Sequence, residues 1–205
     1  MFHVKHEAWG PWAELMGFHL DAPAADRLDR YEQLLLEKAL PFGMIGRSDS
    51  GQLRERHIVD CLRGATLLGP APGRVLDLGS GAGLPGIPLA IARPDLTFCL
   101  AELRKRRVAF IELAVDSLGL SNVNVFAGKV EQLVGPYDVC LSRAFAEPDR
   151  AWATAVRLLS PTGKLLFWAG RTFDAAAGPP AGASISVSPA PRLADAGPVV
   201  IMSRQ

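Results

Sequence analysis

The residues that could do chemistry gather first around one loop. Val75-Leu76-Asp77-Leu78 is a short apolar strand, and Gly79-Ser80-Gly81-Ala82-Gly83-Leu84-Pro85-Gly86 follows it directly. Glycine carries no Cβ, so such a loop turns tightly and lets a ligand approach the backbone. A glycine loop between a strand and a helix is the setting in which nucleotide-like ligands bind. Two spacings overlap in it. Gly81-x-Gly83-x-x-Gly86 satisfies the dinucleotide pattern, which sets phosphates at a helix N-terminus. Asp77-x-Gly79-x-Gly81 instead sets an acid two residues before the first glycine. Glu102 lies at the end of the next strand, where a carboxylate can accept both hydroxyls of a ribose. Its alternative is a solvated strand end. Cations collect in two places. Arg104-Lys105-Arg106-Arg107 begins just past Glu102, and Arg47, Arg54, Arg56 and His57 form a second set nearer the N-terminus. Either suits the phosphates of a polyanion, and either fits an ordinary solvated face.

The elements that must hold these residues follow from periodicity. Residues 1–70 read as helical. Asp26–Ala39 sets Leu28, Tyr31 and Leu35 on one face, and a second helix from Leu53 carries Ile58, Cys61, Leu62, Ala65 and Leu68. Gly69-Pro70-Ala71-Pro72-Gly73 breaks the pattern and divides an N-terminal helical extension, 1–70, from a ligand-binding domain, 71–205. Strands and helices alternate after it. Strands are expected at Arg74–Leu78, Leu96–Ala101, Val123–Phe126, Tyr137–Leu141, Lys164–Trp168, Ser184–Ser188 and Val199–Met202, with helices at Gly86–Arg93, Lys105–Leu118 and Asp149–Leu159. Such alternation gives an α/β fold with a mostly parallel sheet covered on both faces. The last two strands are too close for a helical crossover, so the chain must return antiparallel. Residues 172–183 read as a loop.

Composition bounds the function. The chain has 205 residues, 49% of them apolar and 21% charged, which is a globular balance. Lys plus Arg number 22 against 21 for Asp plus Glu, a net charge of +1, which excludes a histone-like basic tail but not a local basic patch. Seventeen of those cations are Arg and five are Lys; Arg suits phosphate and guanine edges, and genome composition could give the same bias. The three cysteines, Cys61, Cys99 and Cys140, form no C-x-x-C pair, and the four histidines (His3 and His6 among them) form no H-E-x-x-H. These counts point to a reducing compartment and to no metal site. The N-terminus has no apolar signal segment and no run spans a bilayer. A cytoplasmic monomer without a membrane role is expected.

Further segments carry a resemblance. Asp77-x-Gly79-x-Gly81 resembles the first motif of class I S-adenosylmethionine-dependent methyltransferases, whose cofactor has a ribose but no phosphate. Arg56-His57-Ile58-Val59-Asp60-Cys61-Leu62 resembles an Arg-His-x-x-Asp-Ser-Leu segment. Together with Gly79 through Leu89, Val130-Glu131 after the third strand and Ser142-Arg143-Ala144 at the end of the fourth, it is similar to the ribosomal RNA small subunit methyltransferase G family, RsmG or GidB, over residues 26 to 170. The resemblance implies a Rossmann-like methyltransferase fold, a seven-stranded sheet with an antiparallel last strand, and methyl transfer from S-adenosylmethionine to N7 of a guanosine in 16S ribosomal RNA, free or in the small subunit. It implies cofactor contacts from Gly79, Leu84, Val130, Glu131 and Arg143, beside the Glu102 already read from its spacing, with Val130 and Glu131 at the adenine and Arg143 at the catalytic end of the fourth strand. Plainer readings remain: Leu84 as core, Glu131 as a helix start, Arg143 paired with Glu147 or Asp149. Arg56, His57, Arg104, Lys105, Arg106 and Arg171 are the candidate RNA contacts. Ala169-Gly170-Arg171 stands where the family often has Lys-Gly, and Cys61 stands where it usually has Ser.

The chemistry needs little. Guanine N7 carries an in-plane lone pair and no proton, so no general base is required, and the work is alignment and electrostatics. Arg143 suits the guanine O6 or a phosphate, because N7 must stay free. Unpaired RNA is the expected form, since an A-form duplex hides N7 in a narrow major groove. The competing functions are an NAD-dependent oxidoreductase on Gly81, Gly83, Gly86 and Glu102, a small-molecule methyltransferase with residues 1–70 as its lid, and a non-enzymatic RNA-binding module.

Overall fold

Seven strands form one sheet in the order β3-β2-β1-β4-β5-β7-β6 in the computed structural model, which describes residues 9–46, 51–71, 73–189, 193 and 196–205. The strands are β1 (Arg74–Leu78), β2 (Thr97–Glu102), β3 (Val123–Ala127), β4 (Tyr137–Arg143), β5 (Leu159–Trp168), β6 (Ala183–Ser188) and β7 (Val199–Arg204). The helices are α1 (Trp9–Leu15), α2 (Ala22–Leu34), α3 (Asp60–Leu62), α4 (Gly86–Ala92), α5 (Lys105–Leu118) and α6 (Pro148–Ala155). Arg47, His3 and His6 lie outside the described residues.

β1 to β5 pair in parallel, and β7 runs antiparallel between β5 and β6. That is the antiparallel return the short connection demanded. The order reverses between β1 and β4. In an open parallel sheet this is the crevice where ligands sit, beyond the strands' C-terminal ends.

The two faces are covered unequally. On one, α4 and α5 pack on the sheet, and α2 and α3 pack on them in turn. Leu28, Tyr31, Leu35, Ile58, Leu62, Ile87, Phe98, Ile111 and Leu166 are fully buried there in one cluster, so the N-terminal helices share their core with the sheet. α6 covers the other face through Ala151, Trp152 and Ala155.

Local chemistry sets most boundaries. Asp21 caps α2 by accepting from the Ala24 N–H, at 2.8 Å, so the helix starts four residues ahead of the expected Asp26. α5 ends at Leu118, as expected, and Gly119 caps it at φ +62°. The helix expected to reach Leu159 stops at Ala155, and Leu159 instead opens β5 opposite Tyr137. Pro161 favours extended backbone at Ser160 within β5, because the residue before a proline is pushed that way. The segment Leu35–Ala39 and the segment Arg54–Val59 are π-helical. Such turns widen a helix and recur at functional sites.

Candidate active site

β1, β2, β4 and β5 all end on the same edge, and this brings the sequence-distant candidates together. Gly79, Gly81 and Gly83 take φ of +66°, +62° and +86°, which only glycine adopts freely. Gly83 is also packed shut: an added Cβ would stand 2.4 Å from Ile87 Cδ1. Gly81 is open, with only the Gly79 carbonyl, at 3.9 Å, near its added Cβ. The Tyr31 hydroxyl donates to the Ala82 carbonyl at 2.7 Å, so helix α2 pins the loop from behind. Burial pushes the Tyr31 phenol well above its ordinary pKa, which keeps that hydroxyl protonated and donating.

Asp77 is buried, and its Oδ2 accepts from the Gly86 N–H at 3.0 Å. Burial raises its pKa to about 7. This carboxyl occupies the helix start where the dinucleotide reading needs a phosphate, so that spacing has no anion site here.

Glu102 is also buried. Its Oε1 accepts from the Leu103 and Arg104 N–H groups, both at 2.8 Å, and its Oε2 accepts from the Gly81 N–H at 3.0 Å. Arg107 Nη1 lies 3.7 Å from Oε2. A carboxylate oxygen has two lone pairs, so Oε1 is filled and Oε2 keeps room for one hydroxyl. The side chain offered for both ribose hydroxyls thus has capacity for one and spends the rest on the loop. Leu103, beside it, is 58% exposed; sequence reading passed it over, although its place after the acidic strand end was visible. Leu84 is buried in the core cluster. Val130 is buried and Glu131 exposed on the short turn after β3.

Across the switch point lies a cleft of about 870 Å³. Arg56, His57, Asp60, Arg143, Glu147, Trp168 and Arg171 are among its walls, and no residue of the glycine loop is. Ala144 has φ +55°, a strained setting for a residue with a Cβ, and the Phe145 ring beyond it lies against Gly79. Phe145 therefore stands between loop and cleft.

Arg143 is not paired with Glu147 or Asp149. Its Nε lies 3.4 Å from Asp60 Oδ2, and its Nη2 donates to the Arg56 carbonyl and to His57 Nδ1, both at 3.0 Å. A guanidinium has no acceptor, so His57 Nδ1 must be the bare nitrogen of the ring. In this π turn the Asp60 N–H reaches back to the Glu55 and His57 carbonyls. Asp60 is a hub: its Oδ1 binds Arg63 Nη1 at 2.6 Å, and its carbonyl accepts from Trp168 Nε1 at 2.9 Å. Burial alone would lower the pKa of Arg143; Cys61 and the Asp60 carboxylate reverse this and hold it above its ordinary value.

The two cation sets fare differently. Arg54 is committed to Asp29 and Glu32 and stacks on Trp9, so it drops out as an RNA contact. Arg107 faces Glu102. Arg104, Lys105 and Arg106 are exposed at the loop's rim, with Arg106 over Phe42.

The family model for rRNA small subunit methyltransferase G matches residues 24–176. The chain belongs to this family. It is 38% identical to "Ribosomal RNA small subunit methyltransferase G" of Mycobacterium leprae over 188 residues, which cover 81% of this chain and 74% of the relative. The protein of the same name from Nocardioides sp. is 43% identical over 148 residues, 70% of this chain and 59% of the relative. The matched region thus spans from about three-fifths to three-quarters of these relatives. Among solved structures, a SAM-dependent methyltransferase from Aquifex aeolicus superposes with TM-score 0.57 at 19% identity, covering 76% of this chain and 95% of its own. Aeropyrum pernix fibrillarin with natively bound S-adenosyl-L-methionine gives 0.52 at 18%, covering 69% and 73%. These likenesses identify the fold as the Rossmann-like methyltransferase fold. No helix among the described residues is long and apolar enough to cross a membrane.

Proposed function

We propose that this family member methylates N7 of a guanosine in 16S ribosomal RNA, drawing the methyl group from S-adenosylmethionine. The observation that carries this reading is the cleft at the C-terminal ends of β4 and β5, with the fixed cation Arg143 in its wall and the Phe145 ring against the glycine loop's Gly79. When bound, the cofactor supplies an electrophilic methyl group on a sulfonium. The residues fit an adenosine-bearing group: the loop is open at Gly81, Glu102 Oε2 has one acceptor position left, and Leu103 offers an uncovered apolar face.

The chain's own residues then divide the work. Gly79, Leu84 and Glu102 hold the cofactor's ribose and tail, and Val130 and Glu131 its adenine. Arg143 orients the guanine from O6 or an adjoining phosphate and leaves N7 unblocked. No residue takes a proton, because N7 has none. Arg104, Lys105 and Arg106 at the rim, with Arg56, His57 and Arg171 at the cleft, meet the RNA. Residues 1–70 serve as an extension that completes the cleft, and residues 71–205 carry the cofactor. The enzyme works as a cytoplasmic monomer on 16S RNA or the small subunit.

The test is incubation with methyl-labelled S-adenosylmethionine and small-subunit RNA lacking its modifications, followed by nucleoside analysis. Label on guanine N7 is expected. Label on another ring position would keep the enzyme class and overturn the substrate. A tryptophan-fluorescence titration should respond to S-adenosylmethionine and not to NAD.

A further inference from the structure

We infer that Asp60 is a positioning residue for Arg143, and that the Arg56–Asp60 turn is a holder for that arginine. The inference deepens the proposed function and rests on Arg143 working at the reacting end of the cleft.

A guanidinium has five N–H donors. In Arg143 three of them are engaged by this one turn. The Nε–H faces Asp60 Oδ2, and the two on Nη2 meet the Arg56 carbonyl and His57 Nδ1. Nη1 alone has no partner among the described residues, and Arg143 lines the cleft. The arginine is therefore fixed along its Nε–Nη2 edge and presents one nitrogen with two hydrogens. That suits a single acceptor atom with two lone pairs, such as the guanine O6. It does not suit a bidentate grip on the O6–N7 edge, which would tie up the reacting nitrogen.

Asp60 is itself oriented. Arg63, whose side chain is only 5% exposed, holds Oδ1, and the Asp60 carbonyl is tied to Trp168. Trp168 lies against Gly64, where an added Cβ would stand 2.8 Å from its ring. With Oδ1 and the carbonyl held, Oδ2 lies 3.4 Å from Arg143 Nε. Three groups of the Arg-His-x-x-Asp segment thus point at one side chain, which gives the segment a role apart from RNA contact.

The test is a kinetic cycle with a structural control. In single-turnover methylation of small-subunit RNA, Asp60→Asn should slow methyl transfer by about tenfold or more while cofactor affinity changes less than about twofold. In an Arg143→Ala background the same change should add almost nothing, because Asp60 acts through Arg143. Asp60 also partners buried Arg63, so a second variant guards against a folding defect. His57→Ala should lower the rate, and His57→Asn, which restores an acceptor, should recover part of it. Full additivity in the cycle, or an unchanged rate in Asp60→Asn, would overturn the proposal.

An activity-free readout separates this inference from the proposed function. The Arg143 side-chain N–H signals, assigned by their loss in Arg143→Ala, should exchange slowly in ¹⁵N NMR and broaden in Asp60→Asn. Freely exchanging signals in the unaltered protein would refute the holder even if the RNA is methylated. Protected signals without methylation would sink the substrate and spare the holder.

Discussion

On one side of the switch point the glycine loop is held mainly by neighbours in sequence. Gly86 bonds Asp77 across nine residues, and Gly81 bonds Glu102 across 21. On the other side Arg143 is held by groups 83, 86 and 87 residues away. Both sides sit on strand ends of one sheet, yet they are built differently. The loop's shape follows from positive-φ glycines and two buried acids, with the Tyr31 hydroxyl and the Phe145 ring reaching it from afar. The arginine's posture exists only because a helix from before the sheet docks beside β4. A local device shows in a motif, whereas a docked one leaves its residues scattered along the chain.

This contrast can be broken at either side. The largest effect belongs to the docked side. Asp60→Ala strands the buried Arg63 and should cost about 3–5 kcal/mol of stability in denaturant unfolding, against Arg63 and Asp60 side chains only 5% and 11% exposed. A loss under about 1 kcal/mol would mean that the charges reach water after all. On the loop side, Gly83→Ala meets both a left-handed backbone and Ile87, and should cost about 2–3 kcal/mol in the same assay. It should also impair cofactor binding, which Asp60→Ala should spare. Equal effects of both variants on cofactor affinity would erase the distinction. Tyr31→Phe removes a long-range hydrogen bond to the loop and should cost about 1 kcal/mol with a several-fold weaker cofactor titration.

The last effect is a slope rather than a step. Asp77 ionises near 7 in the folded chain, above the ordinary 3.8. The native state therefore holds a proton that the unfolded chain has lost. Stability should be full below 3.8, fall as pH rises from there through about 7, and stay low above it. In the cofactor-free protein Asp77→Asn should flatten that fall, by less than the one-proton limit of about 1.4 kcal/mol per pH unit. Parallel pH profiles for the two proteins would place the Asp77 pKa at its ordinary value.

Much of this was legible beforehand where the signal was local. The strand Arg74–Leu78 and the helix Lys105–Leu118 match their expected spans, because apolar runs and a terminal glycine define them within a few residues. The boundaries that moved did so for short-range reasons of a subtler kind: the Asp21 cap on α2 and the effect of Pro161 on Ser160. The side-chain assignments were harder. Arg54 and Arg56 are two residues apart and look alike in sequence. One is neutralised by Asp29 and Glu32, and the other lends its carbonyl to Arg143. Nothing in the spacing of charges distinguishes them.

The sequence by itself determined the alternating fold, the antiparallel return at its end, and the loop that suits a ribose-bearing cofactor. Each depends on periodicity, connection length or backbone conformations that glycine alone supplies, and these are properties of neighbours. The tertiary structure decided which lone pairs Glu102 keeps, where the helix-start acid excludes a phosphate, and which way Arg143 points. Those depend on hydrogen-bond directions between segments far apart in the chain, fixed only once the helices dock against the sheet.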